Sequence, residues 1–353
     1  MMGLIPRSAA ALAAAAFCAS LVPDSAFAVI LSCGDTVGPG GTVVLEADVE
    51  VCDGAGNALT VVGPVTFELG GFQIRCAALD PAGGIVLTGR GVQIGGGSVR
   101  GCRFGLSAAG EGRHKINNFH ARSSDEYGID LVSDRSQLTG SSATNGTGDG
   151  IRLVGDRAKV SENAATNNND NGFVVSGESI RFSGNTAVNN NKVGIEIAGV
   201  RNTVTRNTST TNGNEAFLIS GADNRIRENT ATRSAQTGFI ITGTDNDLDR
   251  NLSVHNTADG FAVDFGADNR IRRNSATSNG LNGFDLEGDG NEVEDNRATN
   301  NNIGIHVRGG SGNEIESNFA VGSTGNDLRD ATGCVSATWT ANVFGTSSDL
   351  CIE

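Results

Sequence analysis

One glycine returns at almost constant spacing through two thirds of this chain. Gly105, Gly128, Gly150, Gly172, Gly194, Gly238, Gly260, Gly283 and Gly304 lie 21 to 23 residues apart, with Ala216 standing in once. The residues one and three beyond each anchor are apolar, as in Ile151 and Leu153 or Phe239 and Ile241. Ten or eleven residues on comes another apolar residue (Val160, Phe182, Val204, Ile226, Leu248, Ile271). Three beyond that stands an asparagine: Asn163, Asn185, Asn207, Asn229, Asn251, Asn274, Asn296, Asn318. A fixed period of this kind means stacked, near-identical units.

Within one unit three short stretches alternate apolar and polar residues between Gly, Asn and Asp. Counting from Gly238 they are Phe239-Ile240-Ile241, Asp247-Leu248-Asp249 and Asn251-Leu252-Ser253-Val254. Alternation at a period of two marks strands with one buried face. Three strands per repeat, each paired in parallel with its copy one turn later, make an all-β, single-stranded right-handed parallel β-helix. The spacing predicts about 12 turns of ~22 residues, ~60 Å long at the usual strand separation. Phe173, Phe217, Phe239, Phe261 and Phe284 share one column and belong inside the coil. Small residues (Ala143, Ala165, Ala187, Ser209, Ala231) let the third side close. The asparagine column suits turns with positive φ and side-chain bonding between turns.

The domain plan is simple. Residues 1–28 read as a secretory signal, with Arg7, an apolar run and Ala26-Phe27-Ala28 for cleavage. An N-terminal cap follows at 29–57, the β-helix at 58–331 and a C-terminal cap, with the lone Trp339, at 332–353. The apolar run is too short to cross a bilayer, so no membrane insertion is expected. A net charge of −14 argues against nucleic acid and anionic membrane as partners. Beyond the signal six cysteines remain, and an even number in an oxidising compartment implies disulfides. Six allow fifteen pairings; the repeat favours Cys33 with Cys52, Cys76 with Cys102 one turn later, and Cys334 with Cys351. Localisation is therefore secreted, extracellular or periplasmic.

Mapping the repeat onto a surface gives the candidate site. Residues two and four past each anchor face outward on one side, and the last three turns place Asp264, Asp285, Glu287, His306 and Arg308 together. Such a set can bind a cation and move a proton on an acidic sugar. Glu292, Glu294, Glu314 and Glu316 form a second acidic cluster on the next side, where like charges favour a bound Ca2+. Leu218 and Ile240 form an apolar strip suited to self-association, though no oligomeric state follows. Gly95-Gly96-Gly97 lacks the helix and lysine of a phosphate loop, and the four histidines lie on different turns. One Trp and one Tyr leave few rings for stacking on sugars.

The opening Cys33-Gly34-Asp35-Thr36-Val37, Cys52, and Val65-Thr66-Phe67-Glu68-Leu69-Gly70-Gly71-Phe72-Gln73-Ile74, together with the repeats, resembles the right-handed parallel β-helix proteins of the pectate-lyase-like superfamily. The repeats are similar to the NosD and carbohydrate-binding-and-sugar-hydrolase types. The resemblance implies an extracellular protein with polysaccharide as the usual partner class. Lyases and C5-epimerases of that superfamily carry long loops around their clefts, and the even spacing here has none. The expected function is a non-catalytic secreted scaffold that binds polysaccharide. The alternative is an acidic-polysaccharide lyase or C5-epimerase with His306 or Arg308 as base.

Overall fold

The computed structural model describes residues 26–77 and 82–352. Residues 1–25 of the proposed signal, 1–28, lie outside the described residues; its last three, with Val29, form the strand Ala26–Val29 beside Thr42–Leu45. Among these residues three parallel sheets of 14, 15 and 14 strands run the length of a rod, and chain-consecutive strands always fall in different sheets. Face one holds the strands after the glycine anchors, such as Phe239–Ile241. Face two holds Asp247–Asp249 and face three Leu252–Val254, with their copies above and below. The sheets account for about 14 turns rather than 12, because the end segments also join them. At the start Asp35–Val37, Thr42–Leu45 and Val49–Cys52 supply one strand to each face. At the finish Ala337–Thr340 sets Trp339 beneath Ile315, and its indole N–H donates to Asp330 Oδ2 at 3.0 Å. Disulfides join Cys33 to Cys52, Cys76 to Cys102 and Cys334 to Cys351.

The columns become stacks. Phe217, Phe239, Phe261 and Phe284 lie with centroids 4.6, 4.8 and 4.9 Å apart and rings within 5° of parallel. Phe173 shares the column but not the stack, because Ile195 lies between it and Phe217. It meets Phe182 edge-on instead. The anchor glycines are needed because the backbone passes so close at this corner. A Cβ on Gly172 would lie 2.5 Å from the carbonyl of Gly194 and 2.7 Å from Asn190 Nδ2.

Asparagine does more than the sequence suggested. The expected column, Asn163 to Asn318, turns the corner from face two to face three and is buried along its length. In it Asn229 sends its backbone N–H and its side-chain amide to Asn251 Oδ1, both at 3.0 Å. The same amide donates to the Val204 carbonyl at 3.0 Å. A second ladder (Asn168, Asn190, Asn212, Asn256, Asn279, Asn301) lines the corner from face three to face one. A third (Asn202, Asn224, Asn246, Asn269, Asn291, Asn313) lines the corner from face one to face two. Each ladder pairs turn-forming N–H groups that no sheet could satisfy. The ladder residues do not hold the left-handed turn conformation themselves. That falls to the residue before, such as Arg206, Glu228, Arg250 and Arg273, at φ 55 to 56°. The division is physical: a side chain at that position points outward, so charged residues suit it.

Candidate functional site

Face one is flat and its outward side chains change character along the rod. In the middle it presents Val154, Val174, Leu218 and Ile240, all half-buried, with Arg152 and Glu196 among them. Toward the C-terminal end charged side chains gather. Ala262, Asp285, His306 and Arg329 are successive register partners, and Asp264 pairs with Glu287 beside them. The five residues expected to meet do meet. His306 Nδ1 lies 2.9 Å from Asp285 Oδ1, off the direction of a hydrogen bond, so neither atom has a well-directed partner. Both side chains are largely enclosed, at 13% and 7% exposure. Arg308 reaches Asp264, Asp285 and Glu287 at 3.0, 3.1 and 3.0 Å.

Arg308 achieves that reach through a slip in register. Pairing shifts between Leu286 and Glu287, so that Glu287 faces Gly309 rather than Arg308. The guanidinium is thereby set among three carboxylates rather than beside one. Burial works against its charge, but Asp285, Glu287 and Asp264 together raise its pKa further.

Three members of this neighbourhood were not visible in the periodicity. Arg329 is exposed on Leu328–Asp330, next to His306, and makes no ion pair among the described residues. Phe265, just past Asp264, is exposed. Asp259, at the corner entering face one, accepts the backbone N–H of Asn282 at 2.8 Å. Burial, reinforced by the charge of Asp285 and opposed by the Asn282 bonds and Arg308, pushes its carboxyl up to about 6. Folding therefore favours protonated Asp259, a contribution present at acid pH and lost as pH rises from the carboxylate range through about 6. Asp259→Asn is expected to raise the thermal midpoint at pH 7.5 and to leave it nearly unchanged at pH 4.5. Thermal melts at both values check this.

The second acidic cluster is also assembled, with Glu292 opposite Glu314 and Glu294 opposite Glu316. Its border is already neutralised, since Arg270 pairs with Glu292 and holds its carboxyl below the usual range. Among the described residues no group of three or more His, Cys, Asp or Glu side chains is placed to hold a metal ion. The trough of about 550 Å³ lined by Arg201, Asp223, Arg225, Asp245 and Asp247 runs along the corner to face two, away from the charged patch. There Asp247 is bound by Arg227 and Arg272.

Fold and surface together define a three-sided parallel β-solenoid with a mixed-charge patch toward the C-terminal end of face one. The model of the right-handed beta helix region matches residues 83–231 and 193–343, and the chain belongs to that family. No curated protein matches the sequence. Among solved structures it is similar to a double mutant of the periplasmic alginate epimerase AlgG. That likeness has a TM-score of 0.59 at 13% identity, over 85% of this chain and 79% of that one. It is similar to the Azotobacter vinelandii mannuronan C-5 epimerase AlgE4 A-module, with TM-score 0.50 and 14% identity over 88% of each chain. A complex of the alginate lyase AlyF-OU02 gives TM-score 0.50 and 13% identity, over 92% of this chain and 82% of that one. At such identities the likeness is one of fold. No helix among the described residues is long and apolar enough to cross a membrane.

Proposed function

We propose that the protein is a secreted, non-catalytic rod that binds polysaccharide along face one, with the Asp264–Arg308 patch at the end of the binding track. The observation that carries this reading is the form of the patch: a fixed, ion-paired array on an open wall. The corners that border it are short, residues 265–269, 288–291 and 310–312 on one side and 278–281 and 300–302 on the other, so among the described residues no long loop walls in a reacting sugar. Three carboxylates gather on Arg308 Nη2, so the array offers the carboxylate of a substrate no net positive charge. Similarity of fold to alginate epimerases and an alginate lyase supports polysaccharide as the partner class. Three disulfides support an oxidising compartment outside the cytoplasm.

The contact of His306 with Asp285 favours one second reading, a lyase or C5-epimerase in which the imidazole takes a proton from the sugar. One experiment separates the two. The full chain is incubated with neutral and uronate polysaccharides, with and without calcium, and both binding and product are followed. Binding without unsaturated or epimerised product is the expected result. Turnover that disappears in His306→Ala or Arg308→Ala overturns the non-catalytic reading.

A further inference from the structure

We infer that Phe265 and Leu281 bracket the charged patch as apolar platforms, and that the site so formed takes the pyranose rings of a neutral glycan. This rests on the polysaccharide-binding reading above and names the class of sugar.

Phe265 interrupts the repeat. In the turn before, Thr242 is followed directly by Gly243, and in the turn after, Glu287 by Gly288; here Phe265 is inserted between Asp264 and Gly266. It is 79% exposed. It occupies the left-handed region at φ 57°, a conformation that costs a non-glycine residue on the order of 1 kcal/mol. An aromatic side chain in that conformation, open to water and with no counterpart in the turn on either side, contributes nothing to the core. The other ring systems near this face are used: Tyr127 lies under Arg152 at 4.6 Å, and the phenylalanines after the anchors are stacked inside. Leu281, 48% exposed, stands at the opposite corner, where the chain enters the strand Asn282–Glu287. The two apolar groups thus border the same two turns of face one that carry Asp264, Asp285 and Glu287.

Charge selects the sugar. Arg308 uses Asp264 Oδ1 and Glu287 Oε2, and both carboxylates remain partly exposed, at 35% and 29%. Oriented carboxylate oxygens accept hydroxyl hydrogens, and pyranose hydroxyls are donors of that kind. The C–H face of the same ring is apolar and suits an aromatic platform. A uronate would bring its carboxylate to a patch in which Asp259, Asp264, Asp285 and Glu287 face the cations Arg308 and Arg329. It would do so on a chain of net charge −14. Like-charge repulsion works against it there.

The test is calorimetric titration of the full chain with neutral hexaoses (β-linked glucose, mannose and galactose) and with an oligouronate of equal length, the latter with and without calcium. Phe265→Gly removes the ring and relaxes the backbone, so the variant should fold at least as well as the parent. Phe265→Trp restores a ring. The expected result is that one neutral hexaose binds more tightly than the oligouronate, and hardly responds to salt. Phe265→Gly weakens that binding at least ~10-fold, Leu281→Ala weakens it less, and Phe265→Trp preserves it. Tighter binding of the oligouronate overturns the inference and leaves the binding function standing. So does neutral-sugar binding that Phe265→Gly leaves unchanged while Glu287→Gln abolishes it. Failure of every glycan to bind overturns both.

Discussion

Asn229→Ala is expected to lower the thermal midpoint by roughly 5–10 °C, although the residue touches no surface and no candidate site. Asn229 is fully buried and accepts the backbone N–H and the side-chain amide of Asn207 on Oδ1, both at 2.9 Å. It also donates to Asn251 and Val204. Truncation strands at least two buried donors, each worth about 1–3 kcal/mol when left unpaired, and leaves a small cavity. The exposed Asn169, which accepts only from Asn191, is the control. Asn169→Ala should fall within about 0.5 kcal/mol of the parent. Melts of the two variants side by side check the pair, and equal effects would mean that the ladder contributes nothing beyond its surface copies.

The second large effect concerns the anchor. Gly172→Ala is expected to destabilise by several kcal/mol, since its Cβ meets the Gly194 carbonyl and Asn190 Nδ2 inside contact distance. The chain itself shows how that cost is relieved. Where the anchor is Ala216, the position 18 residues on in the second asparagine ladder is Ser234; in the turns of Gly150, Gly172 and Gly194 it is Asn168, Asn190 and Asn212. One methyl group is added where one amide is lost, and Asn212 turns its amide to Ser209 Oγ at 2.9 Å instead of to the next turn. Gly172→Ala with Asn190→Ser should therefore recover part of the loss, giving a coupling of at least about 1 kcal/mol in a double-mutant cycle. Strict additivity of the two changes would sink this account of Ala216.

The fold was legible because its determinants repeat. Anchors, the phenylalanine column and the alanine column each recur at one offset and each is buried, and four of the five phenylalanines form a continuous stack. The second asparagine ladder was hidden in plain view. In Asn167-Asn168-Asn169 and Asn189-Asn190-Asn191 composition alone does not tell which asparagine points inward, and only the middle one does. The third ladder carried a signal that went unused: each member stands two residues before a periodic apolar residue, as Asn202 before Val204 and Asn224 before Ile226, but among charged corner residues it reads as a turn asparagine. The site was legible to the level of which residues meet. What they do there was not, because it depends on departures from the period. Phe265 reads in sequence as a one-residue irregularity, and so does the slip that carries Arg308 among three carboxylates. Gly260 to Gly283 spans 23 residues and Gly283 to Gly304 spans 21. Those two irregular intervals flank the patch and were the available signal. Asp259 was missed because its burial comes from a corner, which follows no apolar alternation.

Side-chain amide exchange of the asparagines, followed by NMR on the labelled protein, tests most directly the claim that stacked, buried amides hold successive turns together. The ladder residues from Asn163 to Asn318 should keep their Nδ2 protons far longer than exposed Asn145 or Asn169. Uniformly rapid exchange across both groups would contradict the account.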